Sequence, residues 1–274
     1  MIKIVIPTLG RINKQISYNN LPDKYKKNVY FVVREKEYKE IKHKYTIYAD
    51  IIVLPKNIET GIAPTRVYIL EYFKDDRIWM IDDDLTFYRK KPNNDENIKK
   101  KWISTKMTEK DFDILFLEIT KYHNTGVVHG AINISSTPPS LRYWPRNKNG
   151  KIGGNVFLDI PNLPKDIEYF KYCPAAEDYD TNLQLLKKGY NNIIFTDFCA
   201  IEKTNAPGGC STFRTLEIHN KSQLLLKERH PKYVKINTKK KKKNNEEKIN
   251  LIIYWKKAYN DFIKSNITKI NIEK

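Results

Sequence analysis

Four apolar residues, Ile78-Trp79-Met80-Ile81, run directly into three acids, Asp82-Asp83-Asp84. The run is too short for a helix and reads as a buried strand. Its C-terminal end therefore carries three carboxylates to the rim of a sheet. Adjacent carboxylates are costly to ionise together unless water or a cation compensates. Two readings stand at this point: a polar turn before Leu85, or a site where a divalent metal holds an anionic substrate.

The first third of the chain repeats this alternation of short apolar runs with helical spacing. Ile2–Ile6 is a strand stopped by Pro7 and Gly10, Val29–Val33 a second, and Ile51–Leu54 a third, stopped by Pro55. Arg11–Asn20 and Glu35–Lys44 read as helices between them. Pro64 stands where a helix takes its first residue, and Val67, Leu70 and Phe73 follow at helical spacing. Uninterrupted apolar strands alternating with helices imply a parallel sheet covered on both faces. Ligands bind beyond the carboxyl ends of such strands. That rule puts Pro7-Thr8-Leu9-Gly10-Arg11 and Asp82–Asp84 on one edge.

Further along, Tyr88–Lys101 has no apolar period and is expected to be a mobile loop. Asp111–Tyr122 reads as a helix, and Val127–Ser135 and Asn155–Ile160 as strands. Gly153-Gly154 permits a tight turn or close backbone approach before the second of these. Asp178–Lys188 is a helix with acids at its start and Gly189 at its stop. Asn192–Phe198 is another strand, Thr238–Asn245 a low-complexity linker, and Ile249–Ile263 the closing segment. Glu177-Asp178-Tyr179-Asp180 forms a second acidic cluster. Helix capping by Asp178 or Asp180 explains it without function; proton transfer from an incoming hydroxyl explains it with one.

Formal net charge is +18 over 274 residues. From Asn220 to Lys274 there are 16 Lys or Arg against 5 Asp or Glu, so the excess is concentrated there. Such a surface suits a polyanion, nucleic acid above all, although the Lys, Asn, Ile and Tyr enrichment is also what AT-rich codons produce. Cys173, Cys199 and Cys210 are widely spaced and form no Cys-x-x-Cys pair. With no apolar stretch near ~20 residues and no leader ahead of Ile2–Ile6, the expectation is a reduced cytoplasmic protein without membrane contact or structural zinc.

Taken in order, the motifs resemble a GT-A glycosyltransferase. The strand–Pro-Thr–x-Gly-Arg at 4–11, Gly61 to Arg66 opening a helix, the strand ending in Asp-x-Asp, and Glu177-Asp178 leading into a Leu-rich helix closed by Gly189-Tyr190 carry that resemblance, over roughly residues 1–215. Ile6-Pro7-Thr8-Leu9-Gly10-Arg11, Ile81-Asp82-Asp83-Asp84, and Lys203-Thr204 followed by Gly208-Gly209 and Arg214 most resemble the TET-associated glycosyltransferases. These are phage-type enzymes implied to glycosylate hydroxymethylated pyrimidines in DNA.

The resemblance implies an α/β fold with a Rossmann-type mixed sheet flanked by helices. It implies a catalytic domain over 1–215, with a donor half at about 1–87, an acceptor half at about 125–215, and a basic C-terminal extension over 216–274 that packs on this core. It places Pro7, Thr8, Arg11, Arg66, Asp82, Asp83 and Lys203 around a nucleotide-diphosphate sugar, expected to be a UDP-sugar. Asp84 and Asp82 would hold Mn²⁺ or Mg²⁺, with His219 or His230 as a further candidate ligand. Asp178 would be the base of an inverting transfer, supported by Glu177. Gly153, Gly154, Asp180 and Arg214 would face the acceptor, with Tyr143, Trp144 and Phe213 available to stack on a base. One departure is that the second strand runs into Arg34-Glu35 rather than an acid-rich end. Competing readings are a glycosyltransferase of glycans or small molecules, a metal-dependent nuclease or nucleotidyltransferase, and a non-catalytic nucleic-acid-binding module.

Overall fold

The computed structural model describes residues 2–45, 47–92, 102–135, 146–202, 208–209, 214–237, 241–243 and 246–272. Four parallel strands form its first half: β1 (Lys3–Pro7), β2 (Val29–Val33), β3 (Asp50–Val53) and β4 (Arg77–Ile81). They lie in the order β3-β2-β1-β4, which directs their carboxyl ends to one edge. Each is apolar on both faces, as a strand covered by helices on both sides must be. Ile4, Ile6, Phe31, Trp79 and Ile81 pack on one face with Tyr18, Tyr45 and Phe112; Val5, Val32, Ile78 and Met80 pack on the other with Ile69 and Phe73.

The helices begin with the short α1 (Ile16–Asn19) and α2 (Asp23–Lys26), followed by α3 (Glu35–Tyr45) and α4 (Ile62–Tyr72). Arg11–Asn20 is not one helix: a single turn at Ile12–Lys14 is separated from α1 by Gln15. The buried Gln15 amide donates to Thr8 Oγ1 (2.7 Å) and to the Arg11 carbonyl (3.0 Å), and these bonds replace helical ones. α4 starts two residues before Pro64, which the first turn accommodates because its N–H would have no helical partner there.

The second half adds antiparallel strands, which makes the sheet mixed. β5 (Leu85–Pro92) and β6 (Trp102–Lys106) form a hairpin at the far edge. This corrects the loop expected over Tyr88–Lys101 as far as Pro92, since the exposed face of an edge hairpin needs no apolar period; residues 93–101 lie outside the described residues. α5 (Glu109–Asn124) starts with a capping box between Thr108 and Asp111. Then come β7 (His129–Ser135), β8 (Arg146–Lys148), β9 (Asn155–Asp159), α6 (Glu177–Lys187) and β10 (Ile193–Glu202). The sheet continues from β4 as β9-β7-β10-β5-β6, with β8 attached to β10. β10 runs past Phe198, through an irregularity between Phe195 and Cys199, and ends at Glu202.

The chain after residue 215 is built into this body. α7 (Leu216–Arg229) is followed by β11 (Val234–Ile236), β12 (Lys241–Lys243), β13 (Glu246–Lys248), β14 (Leu251–Ile253) and α8 (Trp255–Ile272). Leu226, Tyr233, Val234 and Ala258 share a core with Cys173, Ala176, Leu183 and Leu186. Gly189, at φ +85°, abuts Phe262 of α8 so closely that a Cβ would sit 2.2 Å from the ring. No helix among the described residues is long and apolar enough to cross a membrane.

Candidate active site

At the carboxyl edge of the parallel strands lies a cleft of about 890 Å³. Backbone geometry first fixes the turn after β4. The Ser17 hydroxyl donates to the Asp82 carbonyl and accepts from Leu85 N–H (2.9 Å), while Ser17 N–H donates to the Asp83 carbonyl (3.1 Å). The three acids then point to different partners. Asp83 accepts from Thr8 Oγ1 (2.6 Å) and Arg11 (2.7 Å); Asp84 accepts from the same Arg11 nitrogen (2.8 Å). Asp82 accepts from Arg66 at 3.2 Å and keeps a third of its side chain open to the cleft.

Arg66 joins the two acidic motifs. Its guanidinium donates to Asp82 and, at 2.6 Å, to Glu177 at the start of α6. Arg66 and Glu177 are both almost fully buried. Burial pushes the Glu177 carboxyl up to about 8, with Arg66 opposing the rise and Asp178 adding to it. Burial also raises Asp178, again against Arg66. Three acids in the first turn of α6 suit the positive end of the helix dipole, and Asp178 accepts from Tyr179 N–H at 2.8 Å. A carboxylate raised toward neutrality is a stronger base at neutral pH than an ordinary one.

Two glycines allow this convergence. Asp82 N–H donates to the Gly154 carbonyl at 3.0 Å, extending the β4–β9 pairing. Gly154 has φ +68°, and a Cβ there would lie 2.4 Å from Ile134 Cδ1 and 3.3 Å from Asp82 Oδ2. A Cβ on Gly153 would lie 2.9 Å from Asp178 Oδ2. A second pair, Gly208-Gly209, covers Arg11: Gly209 N–H donates to the Leu9 carbonyl at 2.7 Å, and both have positive φ.

Of the residues expected at the site, Pro7, Thr8, Arg11, Arg66, Asp82, Asp83, Asp84, Gly153, Gly154, Glu177, Asp178, Arg214 and His219 line this one cleft. Asp180 does not. Its carboxylate turns to the opposite side of α6 and accepts from Arg229 Nε (2.8 Å), His230 Nε2 (2.8 Å) and Gln184 (2.7 Å). That engagement also takes His230 away from the cleft. Asp178 and Asp180, two residues apart, do not face each other, and Arg229 and His230 hold the Asp180 carboxylate at the end of α7. Lys203, Tyr143, Trp144 and Phe213 lie outside the described residues.

Sequence reasoning passed over Lys151, Glu202, Lys248, Ile249, Asn250, Leu251 and Ile253, all of which line the cleft. Glu202 pairs in register with Leu85 across β10 and β5, which places it beside Asp84. Burial raises its pKa, and Asp84 adds to the rise. Arg34 holds the loop before α4 by donating to the Ile58 (2.6 Å) and Glu59 carbonyls.

Among the described residues, no three or more His, Cys, Asp or Glu side chains gather into a metal cage. Mg²⁺ is commonly held by one or two carboxylates, with substrate phosphates and water completing its shell. The oxygen donors of Asp84 and the cleft-facing Asp82 fit such a cation, and a cation there would offset the mutual repulsion of Asp82, Asp84 and Glu202. His219 Nε2–H donates to the Ile249 carbonyl at 3.0 Å, leaving Nδ1 as the nitrogen with the lone pair.

The profile of the TET-Associated Glycosyltransferase family matches residues 2–209. A "Beta-glucosyl-HMC-alpha-glucosyl-transferase" of Enterobacteria phage T6 is 27% identical over 223 residues, covering 81% of this chain and 79% of that protein. Its counterpart in Enterobacteria phage T2 is 26% identical with the same coverage. Among solved structures, S. aureus TarS 1-349 aligns with a TM-score of 0.47 and 11% identity, over 83% of this chain and 64% of that one. A putative glucose-1-phosphate thymidylyltransferase from Bacillus anthracis aligns with a TM-score of 0.37 and 13% identity, over 72% and 86%.

Proposed function

The chain belongs to the TET-associated glycosyltransferase family, and from that premise we propose that it moves a sugar from a nucleotide-diphosphate sugar to a hydroxymethylated pyrimidine in DNA. The observation carrying this reading is the Arg66 bridge, which brings Asp82 and Glu177 to one cleft from distant parts of the sequence. A glycosyl transfer needs that juxtaposition, because the leaving diphosphate and the acceptor hydroxyl meet at one anomeric carbon. The names of the phage relatives, which specify a modified base as acceptor, support the choice of DNA.

On this reading Pro7, Thr8 and Arg11 line the donor side, and Arg11 and Arg66 face the negative charge that develops on the diphosphate. Asp82 and Asp84 would hold Mg²⁺ or Mn²⁺, which when bound supplies further neutralisation of the leaving group. Asp178 accepts the proton of the attacking hydroxyl, and Glu177, held by Arg66, fixes the start of α6 beneath it. Gly153 keeps the space in front of Asp178 open to an acceptor. A base inside a duplex reaches such a cleft only when turned out of the stack. The proposed setting is the cytoplasm of the cell that holds the DNA.

Mass spectrometry of nucleosides after incubation with nucleotide sugars tests this. Unmodified, hydroxymethylated and already glucosylated hydroxymethyl DNA serve as acceptors. A sugar adduct on either modified DNA, lost in Asp84→Asn and Asp178→Asn, is the expected result. Donor hydrolysis without an adduct on any base rejects the DNA assignment. The product anomer tests the base assignment: inversion of the donor configuration fits Asp178 as a base in one displacement. Both phage relatives are named for an alpha product. An alpha product from an alpha-linked donor would mean retention and would sink the single-displacement role.

A further inference from the structure

The family match ends at residue 209, yet one wall of the cleft is made by residues beyond it. Arg214, His219, Lys248, Ile249 and Asn250 all line that wall. It is a fixed wall, because α7 grips both backbone polar groups of one residue, Ile249. Asn220 Oδ1 accepts from Ile249 N–H at 2.9 Å, and His219 Nε2–H donates to the Ile249 carbonyl at 3.0 Å. Beyond it, β14 alternates as a strand should: Leu251 and Ile253 line the cleft while Ile252 is 43% exposed to solvent. Arg214 is oriented at the mouth by donating to the Ala175 carbonyl at 2.8 Å.

We propose that the strap from Lys248 to Asn250 binds the acceptor, with the Lys248 ammonium and the Arg214 guanidinium seating a DNA phosphate next to the target nucleotide. The inference rests on the DNA reading above and adds the surface that makes the contact. Its chemistry is charge complementarity at an entrance: two exposed cations flank a cleft whose floor holds the acids of the donor and base motifs. Phosphate contacts fix register without reading sequence. Clamped on Ile249, the strap gives Lys248 a set position relative to Asp178, as a positioning contact requires. Asn220 and His219 act through the strap as positioning residues.

The experiment is fluorescence anisotropy of a hydroxymethylated duplex against salt concentration, together with calorimetric binding of the nucleotide sugar. Each neutralised phosphate contributes roughly 0.9 to the slope of log K against log salt. Lys248→Ala is expected to lower that slope by about 0.9 and to weaken DNA binding several-fold at low salt, with the nucleotide-sugar Kd unchanged. Lys39→Ala, which removes an exposed charge on α3 outside the cleft, is expected to leave the slope as it was. Asn220→Ala should raise the KM for DNA more than it lowers kcat. A wild-type slope retained in Lys248→Ala, on a protein that binds the duplex, overturns the strap and leaves the DNA reading standing. No salt-dependent binding of any duplex by the wild type overturns both.

Discussion

At the scale of single residues, charge pairing decides the chemistry. Arg66 donates to both acidic motifs, and its loss leaves Glu177 buried beside Asp178 without its guanidinium. Breaking a buried ion pair from one side costs about 3–5 kcal/mol. Arg66→Met is therefore expected to lose stability on that order, measured by urea denaturation, together with turnover. The sign of the pH effect is specific. Arg66 opposes the rise of Asp82, which burial takes to about 7, and of Glu177, which it takes to about 8. Without Arg66 both stay protonated to higher pH, so the loss should grow as pH rises from 7 to 9; an equal loss at both would contradict the bridge. Gly154→Ala tests the close approach of β9. A Cβ at φ +68° costs roughly 1–2 kcal/mol of backbone strain, and the contact with Ile134 adds to it. A variant as stable and active as wild type would show that the approach is not needed. The acids themselves were legible in the sequence; their partners were not. Asp82, Asp83 and Asp84 look equivalent in a string of letters, and only Thr8, Arg11 and Arg66 make them different.

At the scale of elements, α6 carries function on one side and anchorage on the other. Its cleft side presents Glu177 and Asp178, while Asp180 is locked to Arg229 and His230 at the end of α7. His230 donates from Nε2, and its Nδ1 faces the Lys187 ammonium at 3.3 Å, an arrangement that a neutral ring satisfies. Burial lowers its pKa, against the pull of Asp180. At the end of α5 and the start of β7, burial lowers His123 and His129 to about 4 each. Their folded values lie below the unfolded value near 6.5, so the unfolded chain binds protons first. Their contribution is complete above about pH 6.5 and is lost as pH falls toward 4, by up to roughly 3 kcal/mol each. The hydrogen-bonded Asp180 has a depressed pKa, so its contribution persists further into acid before failing. The raised carboxyls of Asp82 and Glu177 act in the opposite direction over this range, so the test is a difference. Wild type should lose urea stability relative to a His123→Gln/His129→Gln variant as pH falls from 6.5 to 4, and a pH-independent difference would refute the burial of neutral histidines. The acid-rich start of α6 and its glycine stop could be read along the chain. Which acid faces the cleft could not, because that depends on what packs against each face.

At the scale of the whole molecule, residues after 215 pack into the body. They complete the core around Cys173, Leu183 and Leu186, bury Asp180, and wall the cleft. A chain ended at residue 215 would expose that core and strip Asp180 of Arg229 and His230. It is expected to fail to fold cooperatively, read as loss of a sigmoidal thermal transition by near-ultraviolet circular dichroism. A truncated chain that melts near the full-length temperature would mean that the extension is separable. The charge of the molecule is divided the same way: acids converge at the cleft floor, while the residues after Asn220 carry most of the excess of Lys and Arg.

The sequence by itself determined the parallel strands, the order of the motifs, and the presence of two acid clusters at strand and helix ends. Those are properties of local periodicity and of a residue's immediate neighbours, and a single chain displays them directly. Tertiary structure alone decided that Arg66 spans the clusters, that Asp180 leaves the site, that β10 carries Glu202 beside Asp84, and that Lys248 to Ile253 closes the cleft. Each of these joins residues far apart in the chain, and such contacts are set by strand order and register in the sheet. A local pattern does not encode them, because many registers satisfy the same alternation of apolar and polar residues.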